Sequence, residues 1–472
     1  MNLTDIKYAY FLGIGGIGMS AIARYFNSIG ISVSGYDKTP SPLTEELIKE
    51  GISITFEDGV NSLPNFITDY PAETLLIYTP AIPKDHQQFN HLISKGLSIY
   101  KRSEVLGMIS QHAFCIAVAG THGKTTTSTW IAHLLNECGI NFTAFLGGIS
   151  ANYNTNYLHK TDGRSPFPDK PIVVLEADEF DRSFHRLNPD IAIITAIDPD
   201  HLDIYENEEA FREAFGIFAT KIKSGGTLIY HDSLTEHWPE TLTCIPYGTN
   251  AKESKAMSCS NVKAENGHFT FDLNGHFKYG AAISIQHLKS GLPGFHNVEN
   301  ATAASTACLL LPGMEPEMLR TGISTYRGAK RRFEYIINTE THVVIDDYAH
   351  HPEELNAIIG SVRALYPNRM ITGIFQPHLF SRTRDFGDAF ANSLDQLNYP
   401  ILLDIYPARE LPIPGIDGQW LLNKMKNPNK QLLGNDALLE LINQTKPSLL
   451  LILGAGDIDR LVPKIKTMYH GI

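Results

Sequence analysis

Two glycine-rich turns, each set between a strand-like run and a helix-like run, constrain this chain more than anything else in it. Residues 10–26 read YFLGIGGIGMSAIARYF, with glycines at 13, 15 and 18 in the spacing G-x-G-x-x-G. Residues 114–130 read FCIAVAGTHGKTTTSTW, a second turn ending in Gly-Lys-Thr. A glycine turn leading from a strand into a helix offers backbone amides and the positive end of the helix dipole to an anion. One such turn predicts a nucleotide site in an α/β fold. Two predict two phosphorylated ligands.

The surrounding pattern agrees. Apolar strands YAYFLGI, ISVSGYD and TLLIYTPAI alternate with helical runs over the first hundred residues, as in a parallel sheet. The alternation resumes in AFCIAVAG, PIVVLEADE, IAIITAID and GTLIYHD, and again after GAKRRFEYI in THVVIDDYAHH, PNRMITGIFQPH, YPILLDIYPARE and PSLLLILGAGD. Residues 240–290, with turn-rich stretches such as GHFTFDLNGHFKYGAAISI, read as an antiparallel excursion. At 472 residues the chain exceeds what one core supports. The expected architecture is α/β in three domains: a Rossmann-like domain at 1–107, a P-loop-type central ATPase domain at 108–326 with a parallel sheet plus a small antiparallel part, and a Rossmann-like domain at 327–472.

Composition narrows the class. A net charge of −12 disfavours nucleic-acid binding, so an anionic ligand must be drawn in by local cradles. The cysteines at 115, 138, 244, 259 and 308 form no C-x-x-C pair, which argues against zinc and a disulfide framework and for a reducing cytoplasm. No apolar run approaches the roughly eighteen residues of a membrane span. MNLTDIKYAY lacks the features of an export signal.

Within GTHGKTT (Gly120, Thr121, His122, Gly123, Lys124, Thr125, Thr126), amides can cradle phosphates, Lys124 adds a mobile charge and Thr125 a hydroxyl for Mg²⁺. The strict P-loop has another glycine six residues before the lysine, and Val118 stands there. Two acidic clusters follow strands: Glu176, Asp178, Glu179 and Asp181 in LEADEFDRSF, then Asp198, Asp200, His201 and Asp203 in AIDPDHLDIY. Either alone reads as a solvated turn; at adjacent strand ends beside a phosphate loop, they suit a metal. In GFHNVENATAA, His296, Asn297 and Asn300 suit an adenine edge, or simply a helix cap. RGAKRRF packs four cations into six residues, either a solvated face or an arginine for a transferring phosphoryl group. VVIDDYAHHPEEL places two aspartates and two histidines at a strand end without the H-E-x-x-H spacing of a zinc hydrolase. FQPHLFSRTRDF adds His378, Arg382 and Arg384, where an arginine can grip a carboxylate.

Taken in chain order, FLGIGGIGMS, GTHGKTTT, EADEFDRSF, IDPDHLDIY, GFHNVENA, KRRFE, DDYAHHP and FQPHLFSRTRD resemble the motif set of the Mur ligase family across nearly the whole chain. The resemblance implies that the first cradle receives the diphosphate of a UDP-sugar and the second receives ATP. It implies amide formation between L-alanine and the lactyl carboxylate of UDP-N-acetylmuramate, through an acyl phosphate and a tetrahedral intermediate. ATP and Mg²⁺ (two ions, Mn²⁺ able to substitute) serve that reaction in a cytoplasmic enzyme, monomer or dimer, with no nucleic-acid or membrane partner. Carried onto this sequence, Lys124, His201, Arg332 and His350 are catalytic, and Thr125, Glu176 and His201 hold metal. His296, Asn297, Asn300, Arg332 and Asp347 join the loop residues around ATP. Gly15, Gly16, Ile17, Gly18, Asp37, Thr79, Ala81 and Arg102 take the UDP-sugar, and Tyr348, His350, His378 and Arg382 the amino acid.

Two departures stand out. Leu379 follows FQPH, where the family often has arginine. Gly216 lies fifteen residues after His201, where sibling ligases carry a carbamylated lysine; Lys221 and Lys223 lie more than a helical turn further on. Competing readings are a recycling ligase that attaches a whole peptide to the same UDP-sugar, an NAD-dependent dehydrogenase built on the first loop, and a nucleotide-gated binding module.

Overall fold

The computed structural model describes residues 3–198, 205–249, 251, 256–265, 268–276, 282–408 and 410–469. The first sheet holds β1 (Tyr8–Leu12), β2 (Ser32–Tyr36), β3 (Ser53–Thr55), β4 (Thr74–Tyr78) and β5 (Ile99–Lys101) in the order β3-β2-β1-β4-β5. All its pairings are parallel. The chain leaves β1 for β2 on one side and later returns to β4 on the other. The crevice at their carboxyl ends is the switch point where such sheets bind ligands, and Gly13 opens its turn there.

The second sheet holds β6 (Phe114–Ala119), β7 (Phe142–Phe145), β8 (Tyr157–Lys160), β9 (Ile172–Glu176), β10 (Ile191–Ile194), β11 (Thr227–His231), β12 (Thr243–Gly248), β13 (Met257–Glu265), β14 (His268–His276) and β15 (Ala282–Ser290). Its order is β15-β14-β13-β12-β11-β10-β6-β9-β7-β8. The central strand β6 runs parallel to both β9 and β10, so the carboxyl ends of these three strands converge. They deliver the second glycine turn, Glu176 and Thr195.

The antiparallel part differs from the expectation at 240–290. β12 pairs in parallel with β11, and Met257 and Ser258 of β13 pair in parallel with β12. β13, β14 and β15 then neighbour one another in chain order. Glu265 and His268 are too close in sequence for the crossover that a parallel pair needs. A second antiparallel pair, β7 with β8, was not anticipated.

The third sheet holds β16 (Glu334–Asn338), β17 (Val343–Asp347), β18 (Thr372–Phe375), β19 (Tyr399–Leu402), β20 (Gln431–Leu432) and β21 (Leu449–Leu453) in the order β16-β17-β21-β18-β19-β20. It is parallel except for β16, which lies antiparallel to β17.

The chain packs into two compact units: Met1–Ser260, Asp272–Gln286 and Glu299–Ile323 form the first, and Asn261–Phe271, His287–Val298 and Ser324–Ile472 the second. One apolar core runs continuously through the first two sheets, from Phe11 and Ile77 to Ala117, Leu175 and Ile194. Helix Arg102–His112, which contains residue 107, contributes Val105 and Ile109 to that core. The second unit has its own core around Val344, Ile374, Leu450 and Ile452.

Candidate active site

In the first unit, the turn after β1 begins at Gly13, whose φ of +87° excludes most side chains. Gly16 precedes helix Ile17–Ser28 without any side-chain cap, so the amides of the first turn face outward for an external acceptor. Asp37 accepts the Gly15 amide at 2.7 Å and the Lys38 amide at 2.8 Å, which shapes the turn. Thr79 lies against Gly13, where a Cβ would stand 2.5 Å from its methyl group. Arg102 lies over the helix start: a Cβ on Gly18 would stand 2.2 Å from its Nη1. Ala81 is exposed in the turn that follows Thr79. Gly15, Gly16, Gly18, Asp37, Thr79 and Arg102 thus gather at one helix N-terminus, and Ala81 lies in the turn after Thr79.

The second cradle follows β6. Gly120 has φ +130°, and a Cβ there would stand 2.1 Å from Thr195 Oγ1. The Thr195 amide donates to the Ala119 carbonyl at 3.0 Å and its hydroxyl to the His122 carbonyl, pinning both sides of the turn. Gly123 has φ +82° and lies on the amide oxygen of Asn300, which accepts a hydrogen bond from Thr127 at 3.2 Å. Thr121 donates to Asp198 at 3.4 Å, and His122 Nε2 lies 3.7 Å from the same carboxylate.

Lys124 opens helix Lys124–Glu137 and donates to the Gly120 carbonyl at 2.6 Å and to Glu179 Oε1 at 2.7 Å. Burial disfavours its charge, but Glu179, Glu176 and Asp178 outweigh it and raise its pKa, so the lysine is an ammonium. Thr125 Oγ1 lies 2.9 and 3.1 Å from the carboxylate oxygens of Glu176. Glu179 is only 2% exposed, and its Oε2 has no partner among the described residues. A hydroxyl and carboxylates form a hard, oxygen-only donor set, which fits Mg²⁺ better than a softer metal. Among the described residues no group of three or more His, Cys, Asp or Glu is gathered as a metal site. His201, Asp200 and Asp203 lie outside the described residues.

The arginine at the first cradle also reaches the acidic segment of the second: Arg102 Nη2 donates to Asp178 Oδ2 at 3.2 Å. Asp178 sits between Glu176 and Glu179, the partners of Thr125 and Lys124. Sequence reasoning did not find Glu179 as the lysine's counter-ion, Thr195 as the loop's fastener or Asp178 as the arginine's partner. A small polar residue ending the apolar strand IAIIT was the signal for Thr195.

At Gly216, inside helix Glu208–Ala219, a Cβ would meet open space. Lys221 and Lys223 follow the end of that helix rather than extending it. Lys223 donates to the carbonyls of Ser110 and Ala113 and to Asp190 at 2.7 Å, a structural ammonium that ties together three backbone segments.

In the second unit, Asn297 is buried and donates to the Pro293 carbonyl at 2.6 Å, with His296 beside it against Gly294. Asp347 ends β17 and accepts the amides of Phe333 and Ala349 at 2.7 and 2.8 Å. Burial raises its pKa to about 6 against the opposing pull of Arg332. Asp346, buried beside Arg331 at 3.3 Å, is raised to about 7 by burial. Arg331 and Arg332 both lie over the Tyr348 ring, 5.1 and 5.2 Å from its centroid. His350 Nδ1 is 2.9 Å from the Tyr348 carbonyl, which can only accept, so the proton sits on Nδ1 and Nε2 is left as a lone pair. Burial lowers its pKa and keeps the ring neutral. Glu354 accepts the amides of His350 and His351 and lies 3.6 Å from Arg332. The rings of His350 and His378 are 6.2 Å apart. Leu379 starts helix Phe380–Asp385, which carries Arg382, with φ +71° and ψ +134°, a strained backbone for a residue with a side chain. Tyr348, His350 and His378 therefore lie close together in the second unit.

Lys124 is thus buried between its own glycine turn and a carboxylate. A second glycine turn at a helix start lies a single arginine away. The chain belongs to the Mur ligase family. The catalytic domain of that family matches residues 8–114, the Mur ligase middle domain 118–308, and the Mur ligase glutamate ligase domain 331–456. It is 46% identical over 471 residues to a UDP-N-acetylmuramate–L-alanine ligase of Flavobacterium johnsoniae, covering 100% of this chain and 99% of that one. A ligase of the same name from Porphyromonas gingivalis is 47% identical over 466 residues, 98% of each chain. Among solved structures, the UDP-N-acetylmuramate–alanine ligase of Thermotoga maritima superposes with a TM-score of 0.76 at 26% identity, covering 98% of this chain and 99% of that one. A murein peptide ligase from Psychrobacter arcticus shares the fold, with a TM-score of 0.66 at 22% identity over 99% of each chain. Among the described residues no helix is long and apolar enough to cross a membrane.

Proposed function

We propose that this protein is a cytoplasmic, ATP-dependent ligase that joins L-alanine to the lactyl carboxylate of UDP-N-acetylmuramate, a step in peptidoglycan precursor synthesis. The observation that carries the reading is Arg102, which lies on the first cradle and pairs with the acidic segment of the second. Full-length likeness to alanine-adding ligases favours L-alanine over a whole peptide as the amine. A dehydrogenase would leave Lys124, Glu176 and Glu179 without a task.

A carboxylate is a poor acyl donor because oxide is a poor leaving group. Transfer of the γ-phosphoryl group of ATP to the lactyl carboxylate makes an acyl phosphate. The alanine amine then attacks, a tetrahedral intermediate forms, and phosphate departs with the C–O bonding electrons. The amides of Gly120–Thr126 and the Lys124 ammonium neutralise the phosphates. The turn at Gly15–Gly18, with Thr79, Ala81 and Arg102, holds the UDP-sugar diphosphate. Thr125 and Glu176, with His201, would hold Mg²⁺, two ions with Mn²⁺ able to substitute. The metal supplies charge neutralisation on the phosphates. His296, Asn297 and Asn300 surround the adenine, and Arg332 and Asp347 complete the ATP site. Neutral His350 offers Nε2 to the incoming ammonium as proton acceptor, with Tyr348, His378 and Arg382 orienting the amino acid. We place the domain limits at 1–107, 108–326 and 327–472, and the active form as monomer or dimer.

The test is ADP release across a panel of UDP-sugars and amino acids. Release that requires both UDP-N-acetylmuramate and L-alanine supports the reading. Release with a peptide but not alanine assigns the recycling reaction, and no turnover with either leaves a binding module.

A further inference from the structure

The loop between β7 and β8 is a built connection rather than a free excursion. Its ends are tied by the Leu146 amide donating to the Asn156 carbonyl at 2.9 Å, and its middle by the Ser150 amide donating to the Thr155 carbonyl at 2.8 Å. At its start, Gly147 lies directly on Glu176: a Cβ there would stand 1.9 Å from Glu176 Oε2. At its end, Asn156 is fully buried against the helix that begins at the first cradle. The Asn156 amide nitrogen donates to the Ile17 carbonyl and to Ser20 Oγ at 2.8 Å, while its oxygen accepts from Arg24. Arg24 is itself only 6% exposed and is held by Glu46 and Glu50 at 3.2 and 2.7 Å. Tyr157, the next residue, meets Ser28 at 2.7 Å. Residues 17, 20, 24 and 28 are spaced three or four apart, so one face of that helix is gripped along its length.

We propose that Asn156 is a positioning residue: through the strap 147–156 it sets where the UDP-sugar cradle stands relative to Glu176 and the ATP cradle. The inference rests on the ligase reading above. Phosphoryl transfer joins atoms held by two cradles on different sheets, and a displacement of about 1 Å costs on the order of 10²-fold in rate. An apolar interface tolerates such sliding, whereas a buried amide with both donors and its acceptor engaged does not.

The experiment uses the full-length protein with Asn156→Ala, the near-isosteric Asn156→Asp, and Ser20→Ala, which deletes only the hydroxyl oxygen that accepts from Asn156. Dissociation constants of UDP-N-acetylmuramate and of a non-hydrolysable ATP analogue are measured separately by calorimetry, beside kcat and Tm. The proposal expects each ligand to bind within about threefold of wild type. It expects kcat to fall by more than about tenfold in both Asn156 variants, with a smaller fall for Ser20→Ala. If kcat stays within threefold while Tm drops, the residue is merely structural and the proposal is overturned. A rise in the UDP-sugar dissociation constant that accounts for the whole loss also overturns it. Should neither Asn156 variant fold, an unchanged kcat in Ser20→Ala is the overturning result and a reduced one, with both ligands still bound, the supporting result. The wild-type protein serves as control: its silence with all three substrates would defeat the ligase reading itself, independently of Asn156.

Discussion

Lys124 and Glu179 form a pair that neither sequence position announces alone. The lysine is engaged at 2.6 and 2.7 Å and the glutamate is 2% exposed, so removing either leaves a buried charge. Lys124→Ala is expected to abolish ADP release while UDP-sugar affinity, measured by calorimetry without ATP, stays intact. It also destabilises the fold by about 3–5 kcal/mol through the stranded carboxylate. Adding Glu179→Gln should restore Tm but not activity. A parallel loss of UDP-sugar affinity would show that the cradles do not divide the labour. Asp347 poses the opposite electrostatic case. Its folded pKa of about 6 lies above the usual carboxylate range, so the folded state binds its proton more tightly than the unfolded chain does. That carboxyl therefore erodes stability as pH rises from about 4 to about 6, and the loss is complete above that. Relative to wild type, Asp347→Asn should gain Tm between pH 4 and pH 7 in a fluorimetric melt; a pH-independent difference would show an unperturbed carboxyl. Lys223 donates three hydrogen bonds and Gly216 has no side chain to modify, so neither position is expected to supply a carbamate. Activity should survive thorough CO₂ depletion, and restoration by bicarbonate after such a loss would contradict this.

Elements bring these residues into register. Helix Ile17–Ser28 has to do two things: offer free amides at its start and bury one face against the β7–β8 region, where Tyr25 meets Phe145 edge-on at 5.4 Å. Gly18 serves the first task by leaving room for Arg102. Alanine is the better helix former by up to about 1 kcal/mol, so Gly18→Ala should hold or raise Tm. Its methyl group displaces the guanidinium, and UDP-sugar affinity should fall by about tenfold in the same calorimetric measurement. Unchanged affinity would remove Arg102 from the cradle. The strands at which the chemistry sits were legible because both their faces are buried and they read as continuous apolar runs. β3 and β5 were not, being three residues long and only partly buried. β7 and β8 escaped notice because FTAF and YLHK carry no distinct alternation, and because the turn between them looks like loop.

At the scale of the molecule, the first sheet and most of the second form one packed unit with a shared apolar core, and the third sheet, with parts of β13, β14 and β15, belongs to a second unit with its own core. Calorimetric unfolding should show two transitions rather than three, with UDP-N-acetylmuramate raising only the one that belongs to the first unit; three resolved transitions would mean that the shared core does not couple its sheets. The sequence by itself determined the α/β class, the two glycine turns between strand and helix, the acidic strand ends and the family. Those features are local, because glycine turns, apolar strands and Gly-Lys-Thr act within a few residues of one another. Tertiary structure alone decided the partners: Glu179 for Lys124, Thr195 for the loop carbonyls, Asp178 for Arg102 and Asn156 for the cradle helix. The bonds that join these pairs span 55 to 139 residues of chain. No periodicity or spacing encodes such pairs; they exist because parallel strands distant in sequence end side by side, where burial makes an unpaired polar group too costly to leave unmatched.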